Sequence, residues 1–128
     1  RPPGGTNGRV ETEPVQAFDV AATLLDAGTA TALDGAPSRS LVTLVTGGGG
    51  TARHHAVSMI RMRPGLPTWQ AITDGHWRAT FNADTGDVSE LFDLVADPDE
   101  VTNRADDPSA GDELVRLRGL LASTLEPT

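Results

Sequence analysis

The chain contains no cysteine, no lysine and no tyrosine in its 128 residues. Lack of cysteine excludes a disulfide, a thiolate metal site and a cysteine nucleophile within this polypeptide. Lack of lysine means that the run Gly47-Gly48-Gly49-Gly50 is no phosphate cradle, because a P-loop needs a lysine at fixed distance after its glycines. The run reads instead as a flexible loop. Aromatic residues are scarce at 4%, so Trp69, Trp77, Phe18, Phe81 and Phe92 must supply the bulky packing. Each large apolar side chain that is fully buried contributes roughly 1.5–3 kcal/mol, and the core must draw most of them from Leu, Val and Ala. No apolar run approaches the length needed to cross a bilayer, so no membrane partner is expected. The formal net charge of −8, from ten arginines against eighteen acidic residues, argues against nucleic acid as a partner. No G-x-S-x-G nucleophile elbow occurs, and no histidine spacing makes a zinc site.

What is present is an acidic, globular chain: 38% apolar and 22% charged, of a length that fits one domain. Asp and Glu crowd the stretch from Asp84 to Glu113, where Arg104 is the only cation. Such a run is usually a solvated face, the alternatives being a cation site or an acidic recognition patch. The N-terminal Arg1-Pro2-Pro3-Gly4-Gly5 reads as a loop entered in mid-protein, without a signal-peptide core.

Asp19 is expected to cap a helix running to about Ala27, with Gly28 as its stop. Val20 and Leu24 share one face of it, beside Ala21 and Leu25, so this short helix is apolar over most of its surface and wants burial against something sizeable. A turn is expected at Asp34-Gly35, and one or two helical turns from Ser40 through Leu41, Leu44 and Val45. From Ala56 the period changes to two, which predicts a strand. Trp69–Thr73, Asp74-Gly75 and His76–Phe81 form the clearest hairpin, with an Asp-Gly pair that favours a type I′ turn. Asn82 to Asp87 makes a looser turn, and Glu90–Leu94 a further strand. Ser109 is the expected cap of a last helix through about Thr124, with Asp112 and Glu113 in its first turn. Leu114, Leu117, Leu121 and Leu125 form its apolar stripe, which should pack on one face of the sheet. The fold class is therefore α+β: a small antiparallel sheet of three to four strands with a packed C-terminal helix, preceded by a helical leader.

Three histidines are the side chains that titrate near neutrality. His54 and His55 are adjacent and on an extended segment point to opposite sides, so they do not clamp one metal ion together. They remain the candidate substrate contacts, whereas His76 sits in the hairpin. Asn82-Ala83-Asp84-Thr85-Gly86 starts like a calcium loop, but Asp87 stands where that loop needs glycine and the later glutamate is missing. No catalytic residue and no metal ligand is assigned.

The order of short motifs goes further. Asp19-Val20-Ala21-Ala22-Thr23-Leu24-Leu25-Asp26 resembles the D-V-A-P-T-L-L-D segment of sulfatases, and Gly35 through Leu41 resembles the D-G-x-S-L that follows it. Ala71-Ile72-Thr73-Asp74-Gly75-His76-Trp77-Arg78 resembles their A-I-R-T-G-R-W-K hairpin. Glu90-Leu91-Phe92-Asp93-Leu94, Ala96-Asp97-Pro98-Asp99-Glu100 and Asn103 resemble E-L-Y-D-L-x-x-D-P-x-E-x-x-N. The chain departs from the pattern at Ala22 for proline, Thr73 for arginine and Phe92 for tyrosine.

The resemblance implies the C-terminal region of an enzyme similar in fold to alkaline phosphatase. Residues 1–46 would be the tail of its large α/β domain, to which the helical leader belongs, and residues 51–128 its small C-terminal subdomain. The implied partners are the upstream catalytic domain of the same protein and a sulfate-ester substrate. The family's formylglycine and divalent cation, usually calcium, belong to upstream motifs. Gly35-Ala36-Pro37-Ser38-Arg39 mimics the formylglycine motif, but glycine has no side-chain carbon to oxidise. A phosphonate monoester hydrolase is the nearest enzymatic alternative. A free-standing, non-catalytic interaction module derived from such an enzyme is the other.

Overall fold

The computed structural model describes residues 11–28, 38–46, 53–61 and 63–125. The expected N-terminal loop, the Asp34-Gly35 turn and the Gly47–Gly50 loop lie outside the described residues. The chain divides into two compact units, with the boundary between His54 and His55.

The first unit carries helix α1 (Asp19–Ala27) and the short helix α2 (Val42–Thr46). Helix α1 stops where the sequence predicts, and the Gly28 amide donates to the Leu24 carbonyl. Asp19 is not the cap, however. Phe18 takes that position without a side-chain cap bond, and Asp19 is the first helical residue, its side chain turned inward and buried. The second helical segment begins two residues after Ser40, whose hydroxyl accepts from the Val42 amide.

The second unit is a four-stranded antiparallel meander, β1 (Ala56–Arg61), β2 (Thr68–Thr73), β3 (Trp77–Asn82) and β4 (Val88–Asp93), in that spatial order. A 3-10 turn (Pro108–Ala110) leads into the last helix, α3 (Gly111–Leu125). The alternation of strand side chains puts Ile72, Ala79, Phe81 and Leu91 on the face that α3 covers, where they pack with Leu117 and Leu121. The stripe predicted for α3 is the one buried, except that Leu125 at its end is exposed. On the opposite face Phe92 lies under the Arg78 guanidinium, 5.2 Å from the ring centroid.

Two local expectations fail. The β2–β3 loop is centred on Gly75-His76, not Asp74-Gly75, because the Asp74 amide already donates to the Trp77 carbonyl. Gly75 alone takes positive φ, at 88°, which is the requirement of a II′ rather than a I′ turn. The Asp74 side chain braces this loop from within, its carboxylate accepting from the amides of His76 and Trp77. Ahead of α3, Asp107 caps the 3-10 turn by accepting from the Ser109 amide at 2.8 Å, and Ser109 sits inside that turn rather than capping the helix.

Candidate functional site

In the first unit the polar residues of the Asp19–Asp26 motif form one stripe, at positions i, i+4 and i+7 of α1. Asp19 accepts from the backbone amides of Gln16 (2.8 Å) and Arg39 (2.9 Å) and from the Arg53 guanidinium (2.7 Å). Thr23 accepts from the Leu41 amide, and Asp26 accepts from the Ser40 hydroxyl. The polar stripe of α1 therefore grips residues 39–41 and Arg53 within its own unit. The pair Asp19–Arg53 explains why Arg53 belongs to the first unit, since both side chains are nearly closed to solvent, at 1% and 8%. Val20 and Leu24 point the other way and are 54% and 68% exposed. Helix α1 thus buries Asp19 and Ala22 and leaves Val20 and Leu24 exposed.

His54 and His55 fall on either side of the division between the two units. His54 is exposed and ends the first unit, whereas His55 is half-buried, opens the second, and shares a 2.7 Å hydrogen bond between Nε2 and the Thr124 hydroxyl. His76 stacks on Trp77 at 5.7 Å between centroids and lies 3.4 Å from Asp93.

Asp74, Asp93, Asp107, Arg104 and Arg116 of the second unit form pairs. Burial pushes the Asp74 carboxyl up, but the Trp77 amide, the Arg116 guanidinium at 2.5 Å and the His76 amide outweigh it and hold it below its ordinary value. The Ala96 amide, opposed by burial and aided by the Val95 amide, lowers Asp93. The Ser109 hydroxyl and then Arg104 bring Asp107 from 3.8 to about 2. Asp74 in turn raises Arg116. These groups stay ionised across neutral pH, so none is poised as a general acid or base there.

None of the carboxylates in the acidic run from Asp84 to Glu113 is buried, as a solvated face requires, and four of them also close loops as acceptors. Asp84 accepts from the Thr68 amide, Asp93 from Val95 and Ala96, Asp97 from Thr102, and Asp107 from Ser109. Asn103 plays the same part: its carbonyl accepts from Leu91 and Ala105, and its amide donates to the Ser89 carbonyl. The spaced D-P-x-E-x-x-N residues thus build the connection from β4 to α3. Asn82 likewise closes the β3–β4 turn by accepting from the Asp84 and Thr85 amides. Among the described residues no group of three or more His, Asp or Glu side chains is arranged to hold a metal ion.

One feature escaped sequence reasoning. The β1–β2 connection walls a groove of about 440 Å³ between Arg61, Arg63, Leu66, Thr68 and Asp84. The sequence signal was there, two arginines just before a Pro-Gly turn, but nothing in it showed which arginines the fold would neutralise.

No family model and no curated protein matches the chain. Solved structures do, and the likeness is one of fold: the chain matches part of the length of several sulfatases and phosphonate monoester hydrolases. The phosphonate monoester hydrolase of Silicibacter pomeroyi matches 97% of this chain at 22% identity and TM-score 0.78, over 27% of its own length. A 2-O GAG sulfatase matches 80% of the chain at 23% identity and TM-score 0.70, over 23% of its length. BT4656, solved with its substrate D-glucosamine-2-N,6-O-disulfate, matches 83% at 21% identity and TM-score 0.70, over 23% of its length. The chain spans about a quarter of the structures it matches.

Proposed function

We propose that this chain is the C-terminal portion of a sulfatase, a sulfuric ester hydrolase, with a structural and substrate-cleft role and no catalytic residue of its own. The observation that supports it most is helix α1, whose Val20 and Leu24 are exposed. An apolar stripe of this kind costs free energy in water at roughly 25 cal/mol per Å², and the large α/β domain of such an enzyme is the mass that would cover it. Residues 1–46 are then the tail of that domain and residues 51–128 the small subdomain. The formylglycine nucleophile and its calcium ion belong to the upstream domain, where the cation would neutralise charge on the sulfuryl oxygens.

The substrate class is a sulfated saccharide, as the substrate named for BT4656 is a disulfated glucosamine. His54 and His55 are the proposed cleft contacts on this chain. A phosphonate monoester hydrolase is the second reading, favoured by the 97% coverage of the chain. A free-standing module is disfavoured by the outward apolar side of α1.

The isolated 128-residue polypeptide, supplied with calcium and an aryl sulfate, should show no turnover, and the native gene product should be much heavier than 13.4 kDa. Hydrolysis that persists through stringent purification, or a native product of this mass, would overturn the proposal.

A further inference from the structure

The fold spends its cations unevenly. Arg53, Arg78, Arg104 and Arg116 each pair with a carboxylate. Arg118 lies on the Phe81 ring at 4.8 Å and donates to the Gly86 carbonyl. Arg61 and Arg63 are both exposed, and neither forms an ion pair with any described residue. Both open onto the one groove at the β1–β2 connection. In a chain of net charge −8 with eighteen acidic residues, two guanidinium groups that line one groove and have no ion pair among the described residues keep donors free for an anionic ligand.

The remaining walls narrow the ligand. Asp84 lines the same groove, and its Oδ2 is occupied by the Thr68 amide at 3.0 Å. A bare inorganic anion would gain from the arginines but be opposed by this carboxylate. A molecule carrying an anionic group at one end and hydroxyl donors at the other would satisfy both, since a carboxylate accepts from hydroxyls and a guanidinium presents a planar fork of donors to an oxyanion. Leu66 and Pro64 supply an apolar ledge beside them. Such a molecule is a saccharide bearing a sulfate or phosphate ester.

We infer that the groove between Arg61, Arg63 and Asp84 is an accessory binding site for an oxyanion-bearing saccharide, with the arginines on the ester and Asp84 on ring hydroxyls. This rests on the function proposed above for the biological substrate, but its binding chemistry stands on this chain alone.

The test is an amide NMR titration of the 128-residue protein with D-glucosamine 6-O-sulfate, D-glucose 6-phosphate, N-acetylglucosamine and sodium sulfate. At least one sugar ester should shift the amides of Arg61, Gly65, Thr68 and Asp84, and the tighter of the two identifies the ester. The neutral sugar and sodium sulfate should each bind at least tenfold more weakly. Arg61→Gln and Arg63→Gln, made singly and together, should weaken ester binding, by at least tenfold for the pair. Asp84→Asn should strengthen sodium sulfate more than the sugar ester, because it removes the opposing charge and weakens the acceptor for ring hydroxyls. Binding should also fall with ionic strength, because the groove is open to solvent.

Ester-induced shifts elsewhere, affinity unchanged by the arginine variants, or sodium sulfate binding as tightly as the sugar ester would each overturn the inference. Aryl sulfate turnover by the isolated chain would sink the proposed function and leave this site standing. An inert chain that binds no ester here would sink the site alone.

Discussion

Replacing Asp19 with alanine should unfold the first unit while leaving the second intact. The carboxylate is 1% exposed and serves three donors: the amides of Gln16 and Arg39, and the Arg53 guanidinium at 2.7 Å. Arg53 is held in addition by the Gln16 side chain and by Phe18, whose ring centroid lies 5.5 Å from the guanidinium. In the variant the guanidinium stays buried with its counter-charge gone, a loss that typically costs about 3–5 kcal/mol. Each orphaned backbone amide would add about 1–3 kcal/mol if it could not reach water. Local relaxation makes these costs less than additive, so about 3–5 kcal/mol is the expected total. The described part of this unit is small and has little more stability than that to lose. Hydrogen exchange is the assay: α1 amides should lose their protection in the variant while β2 and β3 amides keep theirs. Asp19→Ala combined with Arg53→Met should recover much of the loss, since an apolar replacement of both partners removes the uncompensated charge. If the double variant protects α1 no better than the single one, the Asp19–Arg53 pair is not what holds this unit together.

Two further outcomes concern the second unit. Leu117 is fully buried against Ile72, Ala79 and Leu91. Leu117→Ala should cost about 2–5 kcal/mol, and at roughly 4–8 °C per kcal/mol the thermal midpoint should drop by at least about 8 °C. Asp107 is depressed from 3.8 to about 2, so its contribution is present above the unfolded value and is lost as pH falls through the folded one. Thermal midpoints of the second unit should therefore decline between about pH 4 and pH 2. Asp107→Asn should flatten that decline, and an unchanged pH profile would show that the Asp107 contacts do not contribute.

Element type and order were legible because periodicity is a local property. The change from helical to alternating spacing at Ala56 marks β1, and the leucine stripe from Leu114 to Leu121 marks the buried side of α3. The misreadings are all at element ends, where several residues compete to terminate or start a segment. Asp19 and Ser109 have cap chemistry, yet tertiary partners took Asp19 inward and Asp107 reached the Ser109 amide first. Asp-Gly favours a I′ turn in isolation, but pairing of Asp74 with Trp77 moved the loop by one residue.

By itself the sequence determined the α+β class, the meander, the packed last helix and the motif order that points to the C-terminal region of sulfatase-like enzymes. These follow from spacing and residue type along a short stretch of chain. Only the tertiary structure decided which side of α1 faces out, which carboxylates close loops, and that Arg61 and Arg63 have no ion pair among the described residues. Those depend on partners distant in sequence, such as Asp19 with Arg53 and Asp74 with Arg116, and charge neutralisation acts through space rather than along the chain.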